Sequence, residues 1–194
     1  KMKASWGSLA GKVWVDFVFS TDGKIIDMSK VSFPSRGKEE EAIIDGIKMR
    51  LVNNDSSRNR ERIAYIEDED KVRAIIRVRF SREVFGISMD GVKMGAAPSD
   101  AEVVYGDGVE ARAFSWGVVV VIDGKEIVLV GKRPKVALKV EGGKIIVSGD
   151  TYPIKEELKS MKARWDPQSK AWVLQGDVEE IRKKLVEELG VEVA

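Results

Sequence analysis

Between Lys71 and Phe80 the chain alternates in a way suited to holding anions. Val72, Ala74, Ile76, Val78 and Phe80 take the even positions, and Lys71, Arg73, Ile75, Arg77 and Arg79 the odd ones. Successive strand side chains point to opposite faces. The pattern therefore predicts one apolar face and one carrying four cations, with no acid between residues 71 and 82. Like charges about 7 Å apart along a strand repel, and phosphates would relieve that repulsion. The competing reading is a solvated face paired with Asp and Glu of a neighbouring strand, and the chain has 32 acids to supply them. Arg58, Arg60 and Arg62, just upstream, either extend the patch or form an ordinary polar loop.

A second cluster runs from Lys159 to Trp172. Trp165 and Trp172 stand seven residues apart across a turn begun by Asp166-Pro167, with Lys159, Lys162, Arg164 and Lys170 around them. Single-strand binding uses this combination, because bases stack on rings while cations hold phosphates. Trp172 is better suited to plugging a sheet against two helices. Trp165 flanks the turn beside Arg164. Trp14 adds an aromatic ring on an early strand.

The run Lys162-Ala163-Arg164-Trp165-Asp166-Pro167, with Lys170-Ala171-Trp172 after it, resembles a small module found in many DNA-metabolism proteins. In layout it is similar to the HARP domain of annealing helicases, where a helix with a Lys precedes a turn and a short aromatic strand. The likeness covers roughly residues 144–175. With its thermophile-like composition the chain also resembles the ThermoDBP-type single-stranded DNA-binding proteins of hyperthermophilic archaea. The resemblance implies a role in DNA replication or repair, with Lys162, Arg164, Trp165, Lys170 and Trp172 at the turn and basic rim.

Catalytic chemistry has one candidate. Asp16, Asp22 and Asp27 fall in a hairpin, and Glu67, Asp68, Glu69 and Asp70 cluster in a turn. Paired carboxylates can hold magnesium for phosphodiester cleavage. Acids at hairpin tips also serve turn chemistry, which leaves Asp16, mid-strand on the face of Trp14, as the unusual one. Gly142-Gly143-Lys144 reads as a hairpin turn rather than a phosphate loop, and no nucleophile–base pair is visible.

Composition narrows the rest. The 194 residues include no Cys and no His. That excludes disulfides and thiolate chemistry, and it removes the usual general base near neutral pH and the commonest metal ligand. High Lys, Arg and Glu fit a thermophile. The net charge of +1 means that any nucleic-acid site must come from local clustering. No apolar run approaches the ~20 residues a membrane span needs, and no basic segment followed by an apolar one suggests a signal peptide. The expectation is a cytoplasmic, archaeal-type protein without cofactor, metal or membrane association.

The elements that must position these residues follow from periodicity. Lys12–Phe19 alternates as a strand, with Val13, Val15, Phe17 and Phe19 on one face and Trp14, Asp16 and Val18 on the other. Asp22-Gly23 is a hairpin signal, with a return strand to Phe33. Ile43, Ile44, Ile47 and Leu51 recur at helical spacing, and acids open the segment while Lys48 and Arg50 close it, so Lys38–Val52 is expected as a helix. Arg62–Glu67 and Lys71–Phe80 read as strands. Residues 81–112 hold no sustained period. Hairpins are expected over 113–132 and 136–148, then a helix carrying Ile154, Leu158 and Met161. Trp172–Leu174 reads as a strand. Asp177 and Glu180 open a last helix that Gly190 stops.

The expected architecture is α+β, a mostly antiparallel sheet with about three helices in two subdomains. Residues 1–85 would form a ββαββ unit and 86–110 a linker or mobile loop. Residues 111–194 would form a β-rich unit ending in a βαβα module. The expected function is nucleic-acid binding, with single-stranded DNA foremost and a homodimer or partner protein also possible. The alternatives are a magnesium-dependent nuclease using Asp16, and a protein–protein adaptor of a DNA-processing complex.

Overall fold

The computed structural model describes residues 1–81, 87–88, 91–92 and 97–194. Strand accounts for 54% of the chain and helix for 14%, so the expected α+β class with about three helices is corrected to a mostly β protein. The described chain has two α-helices. The chain divides into two compact units, residues 1–113 with 118–129, and 114–117 with 130–194.

The first unit is built on one large sheet. Its strands are β1 (Lys3–Leu9), β2 (Lys12–Ser20), β3 (Ile25–Asp27), β4 (Glu39–Ile44), β5 (Ile47–Asn53), β6 (Arg60–Ile66) and β7 (Val72–Phe80), and, after the two-residue pair β8 (Ile87–Ser88) and β9 (Gly91–Val92), β10 (Pro98–Tyr105). The order is β10-β7-β2-β1-β6-β5-β4, with β3 also paired to β2. Every pairing is antiparallel. One face carries Val13, Val15, Phe17, Phe19, Ile76, Val78, Ala64, Met49 and Leu51, all buried, as the alternation of β2 and β7 requires.

The helix expected over Lys38–Val52 is the β4–β5 hairpin. Asp45 (φ 48°) and Gly46 (φ 80°) both lie in the left-handed region, as a two-residue type I′ turn demands. Beyond the turn Ile47, Met49, Leu51 and Asn53 are buried and Lys48 is exposed, which is period two. The helical spacing of the isoleucines was a coincidence of two strands meeting at a tight turn.

Two further expectations change. The return strand to Phe33 stops at Asp27, where a 3₁₀ turn over Met28–Lys30 begins, capped by the Asp27 carboxylate on the Ser29 N–H. Within the expected linker 86–110, residues Pro98–Tyr105 form sheet-edge strand β10. Residue 86, like 89–90 and 93–96, lies outside the described residues.

Strands β11 (Val109–Phe114), β12 (Gly117–Ile122) and β13 (Lys125–Gly131) make a three-stranded sheet in that order, and the division between units falls inside them.

The second unit holds β14 (Lys135–Glu141), β15 (Lys144–Gly149), α1 (Lys155–Ser160), β16 (Arg164–Asp166), β17 (Ala171–Leu174), α2 (Val178–Glu187) and β18 (Glu192–Val193). The sheet order is β16-β17-β15-β14-β18, antiparallel except for the parallel β14–β18 pair. Asp177 caps α2 by accepting from the Glu179 N–H, and Gly190 (φ 68°) follows its end. Its core joins Val136, Ile145, Val147, Trp172 and Leu174 with Ile154, Leu158, Ile181 and Leu185. Trp116 is buried in this unit and donates its indole N–H to the Leu189 carbonyl at 2.9 Å.

Candidate nucleic-acid interface

The two basic clusters are met by different surroundings. On β7 the odd face is as cationic as its sequence says, but each cation has a partner. Arg77 forms a two-pronged ion pair with Asp16, Nε to Oδ1 at 2.8 Å and Nη2 to Oδ2 at 3.0 Å. Arg79 reaches Asp100 at 3.1 Å and Glu102 at 2.8 Å, both on β10. Arg73 reaches Asp123 at 3.0 Å and the Asp107 carbonyl at 2.9 Å. Lys71 lies 3.6 Å from Asp68 and donates to the Gly46 carbonyl. The hydrogen bonds that Arg73, Arg77 and Arg79 donate to Asp123, Asp16 and Glu102 are the first causes that raise their pKa values above the ordinary arginine value. The competing sequence reading, a face paired with neighbouring acids, describes this strand.

Register explains the pairing. Asp16 of β2 and Glu102 of β10 both stand opposite Arg77, and Asp100 stands opposite Arg79. Asp16 is wholly buried and also accepts the Ser5 N–H at 2.8 Å. Trp14 is half-buried, donates to Ser5 Oγ at 2.9 Å and lies beside Arg77, whose Cζ is 6.0 Å from the ring centroid. Gly7 sits across from it. A Cβ there would lie 2.2 Å from the Arg60 carbonyl oxygen and 3.0 Å from Trp14 Cη2, so only glycine leaves room for the ring. Trp14 is thus fixed by packing, a hydrogen bond and a cation. Asp16 spends its oxygens on Arg77 and Ser5, and among the described residues no group of three Asp or Glu is placed to hold a metal ion.

Upstream, Arg62 pairs with Asp55 at 2.8 Å and lies over the buried Trp6 ring. Arg60 opens β6, and Arg58 is exposed in the loop before it.

The second cluster is different. Trp165 is 46% exposed and Trp172 only 7%. Their rings meet edge-on, with centroids 5.5 Å apart at 61°. Trp172 is therefore core, and it supports Trp165 from below. Lys162, Arg164 and Lys170 are exposed, and no ion pair joins them to an acid among the described residues. Lys159 is held by Glu156 at 3.2 Å on the same helix. Lys162 (φ 66°), just before β16, and Lys170 (φ 53°), in the β16–β17 turn, occupy left-handed positions. That turn is tied by Asp166, which accepts from Ser169 Oγ at 2.7 Å and the Gln168 N–H at 3.1 Å. These bonds, the Ser169 hydroxyl first, hold the Asp166 carboxyl below its ordinary pKa.

Strand geometry separates two residues that the sequence puts side by side. Trp165, Trp172, Val147 and Leu138 stand in one cross-strand row, and Arg164, Val173, Ile146 and Lys139 in the next. Adjacent rows point to opposite faces. Trp165 thus rims the face that Trp172, Val147 and Leu174 bury, while Arg164 and exposed Lys139 share the other. Because β16 is the sheet's edge, both remain reachable from the same free side. Sequence reasoning missed Lys139, which Glu141 holds at 3.2 Å. It also missed Tyr152, which is 75% exposed with Lys155 Nζ 4.1 Å from its ring centroid. The aromatic next to Pro153 was the signal for Tyr152, whereas Lys139 needed the strand register.

The chain matches no family model, no curated protein and no solved structure. No helix among the described residues is long and apolar enough to cross a membrane.

Proposed function

We propose that the protein binds single-stranded nucleic acid, with single-stranded DNA the foremost ligand, along the β16 edge of its second unit. The observation that carries this reading is Trp165. It is a half-exposed ring braced edge-on by a buried tryptophan, and neither its neighbour Arg164 nor Lys162 or Lys170 is ion-paired among the described residues. A braced ring loses little freedom when a base stacks on it, and stacking is worth ~1–3 kcal/mol per base. Arg164, on the other side of the strand, is free for a phosphate. The resemblance of this module to those of DNA-metabolism proteins supports the same reading and a role in replication or repair. The β7 cations take no part, because acids of the same unit already neutralise them.

The test is anisotropy of a labelled oligothymidylate over a salt series. Binding at low salt should weaken as salt rises, with a slope of about −0.7 per phosphate contacted. Affinity that is undetectable at low salt, or that barely responds to salt, overturns the proposal.

A further inference from the structure

The large sheet has two edges, and they are guarded to different degrees. Strand β10 starts with Pro98, breaks register twice and carries Asp100 and Glu102. Proline, bulges and charges are the devices by which proteins keep an edge strand from pairing with another chain. Strand β4, at the opposite edge, pairs in unbroken register with β5. Its second half, Ala42-Ile43-Ile44, has no charge and no proline. Ile43 is 73% exposed, more than any other isoleucine or valine among the described large hydrophobics. No backbone hydrogen bond is made on the outer side of residues 39–44 among the described residues.

Beside this edge lies a groove of about 570 Å³, lined by Ile25, Ile26, Val31, Ala42, Ile44 and Leu51, with Asp27, Asp45 and Lys30 as its charged residues. Ala42 and Ile44 alternate with Ile43, so the groove takes one face of an added strand and Ile43 meets the other. The first half of β4 is Glu39-Glu40-Glu41. Glu41 and Glu39 are paired with Lys48 and Arg50 at 3.7 and 3.4 Å on the exposed side, whereas Glu40, in the same alternation as Ala42 and Ile44, has no cation among the described residues.

We infer that β4 is a docking edge for an extended segment of another protein, one in which lysine or arginine alternates with apolar residues, and which joins the sheet as a further strand. Main-chain bonds to β4 would give affinity, and the groove and the acids would select the side chains. A second copy of this chain fits poorly. Parallel self-pairing sets glutamate against glutamate, antiparallel pairing sets Glu39 to Glu41 against Ile44 to Ala42, and neither supplies a cation.

The probe is a fluorescent peptide alternating lysine and valine, titrated into the full chain. Saturable binding is expected, with new amide hydrogen-exchange protection confined to residues 39–44. The same peptide N-methylated at alternate residues should not bind, nor should one alternating glutamate and valine. Glu40→Lys should weaken binding about fivefold. Ile43→Lys, at an exposed site that leaves the fold intact by circular dichroism, should remove it. Absent binding overturns the inference. So does equal binding of the N-methylated or glutamate peptide, or protection that falls outside β4. Concentration-dependent dimerisation abolished by Ile43→Lys would show that a second copy is the occupant and also overturns it. Oligonucleotide binding is read on separate residues, so either proposal can fail alone.

Discussion

The basic strand β7 and the basic turn around β16 look alike in one dimension and differ in three. Each sets several cations within about ten residues. On β7 every one of them meets a carboxylate or a carbonyl brought in by β2, β10 or a nearby turn. At β16, a short edge strand with one neighbour, three cations have none among the described residues. The difference is topological. A central strand has two flanking strands that can supply acids at each register position, while an edge hairpin has one. A run of like charges therefore says little about a ligand until the strand's place in the sheet is known.

The largest expected effect breaks the β7 side of this comparison. Asp16→Ala should lower stability by about 3 kcal/mol, the cost of leaving a partly buried charge without its partner. Chemical denaturation measures it, and oligonucleotide affinity of the folded variant should not change. Arg79→Ala, whose pairs are solvent-exposed, should cost under about 1 kcal/mol and also leave binding intact. A clear loss of binding in either variant would return β7 to the interface.

The next effect lies at β16. Trp165→Ala should weaken oligothymidylate binding by about tenfold, the loss of one stacked base, with little change in melting temperature. Trp172→Ala should instead unfold the second unit or cost about 3–5 kcal/mol, because it is core. If Trp165→Ala binds as tightly as the parent, the ring is only a rim of that core.

A finer effect separates the cations. Lys162→Ala, Arg164→Ala and Lys170→Ala should each reduce the salt slope by about 0.7 if each holds one phosphate. Lys159→Ala, paired within its helix, should reduce it less.

The smallest effect is on pH. The Asp166 carboxyl lies below its ordinary pKa, so the turn it ties is stabilised above the ordinary carboxylate range. That contribution fades as pH falls through the lowered value. Acid titration followed by the Gln168 and Ser169 amide resonances should show the turn loosening below the ordinary carboxylate range, while binding near neutral pH is untouched.

The sequence by itself determined much of the local structure. The alternation in Lys12–Phe19 and in Val72–Phe80 set which faces are buried, because period two leaves a strand no other choice. Asp177 and Gly190 bounded the last helix for equally local reasons. Trp172 was legible as a plug for the sheet. The β4–β5 hairpin was not, since Ile43, Ile44, Ile47 and Leu51 satisfy a helical stripe while Asp45-Gly46 carries the decisive turn, and that dipeptide was outvoted by spacing. Only the tertiary structure decided the rest. It placed Asp16 and Glu102 across from Arg77 and left β4 at an edge of the sheet. Each is a matter of which strand lies beside which, and cross-strand neighbours are far apart in the chain, so no local pattern of residues can encode them.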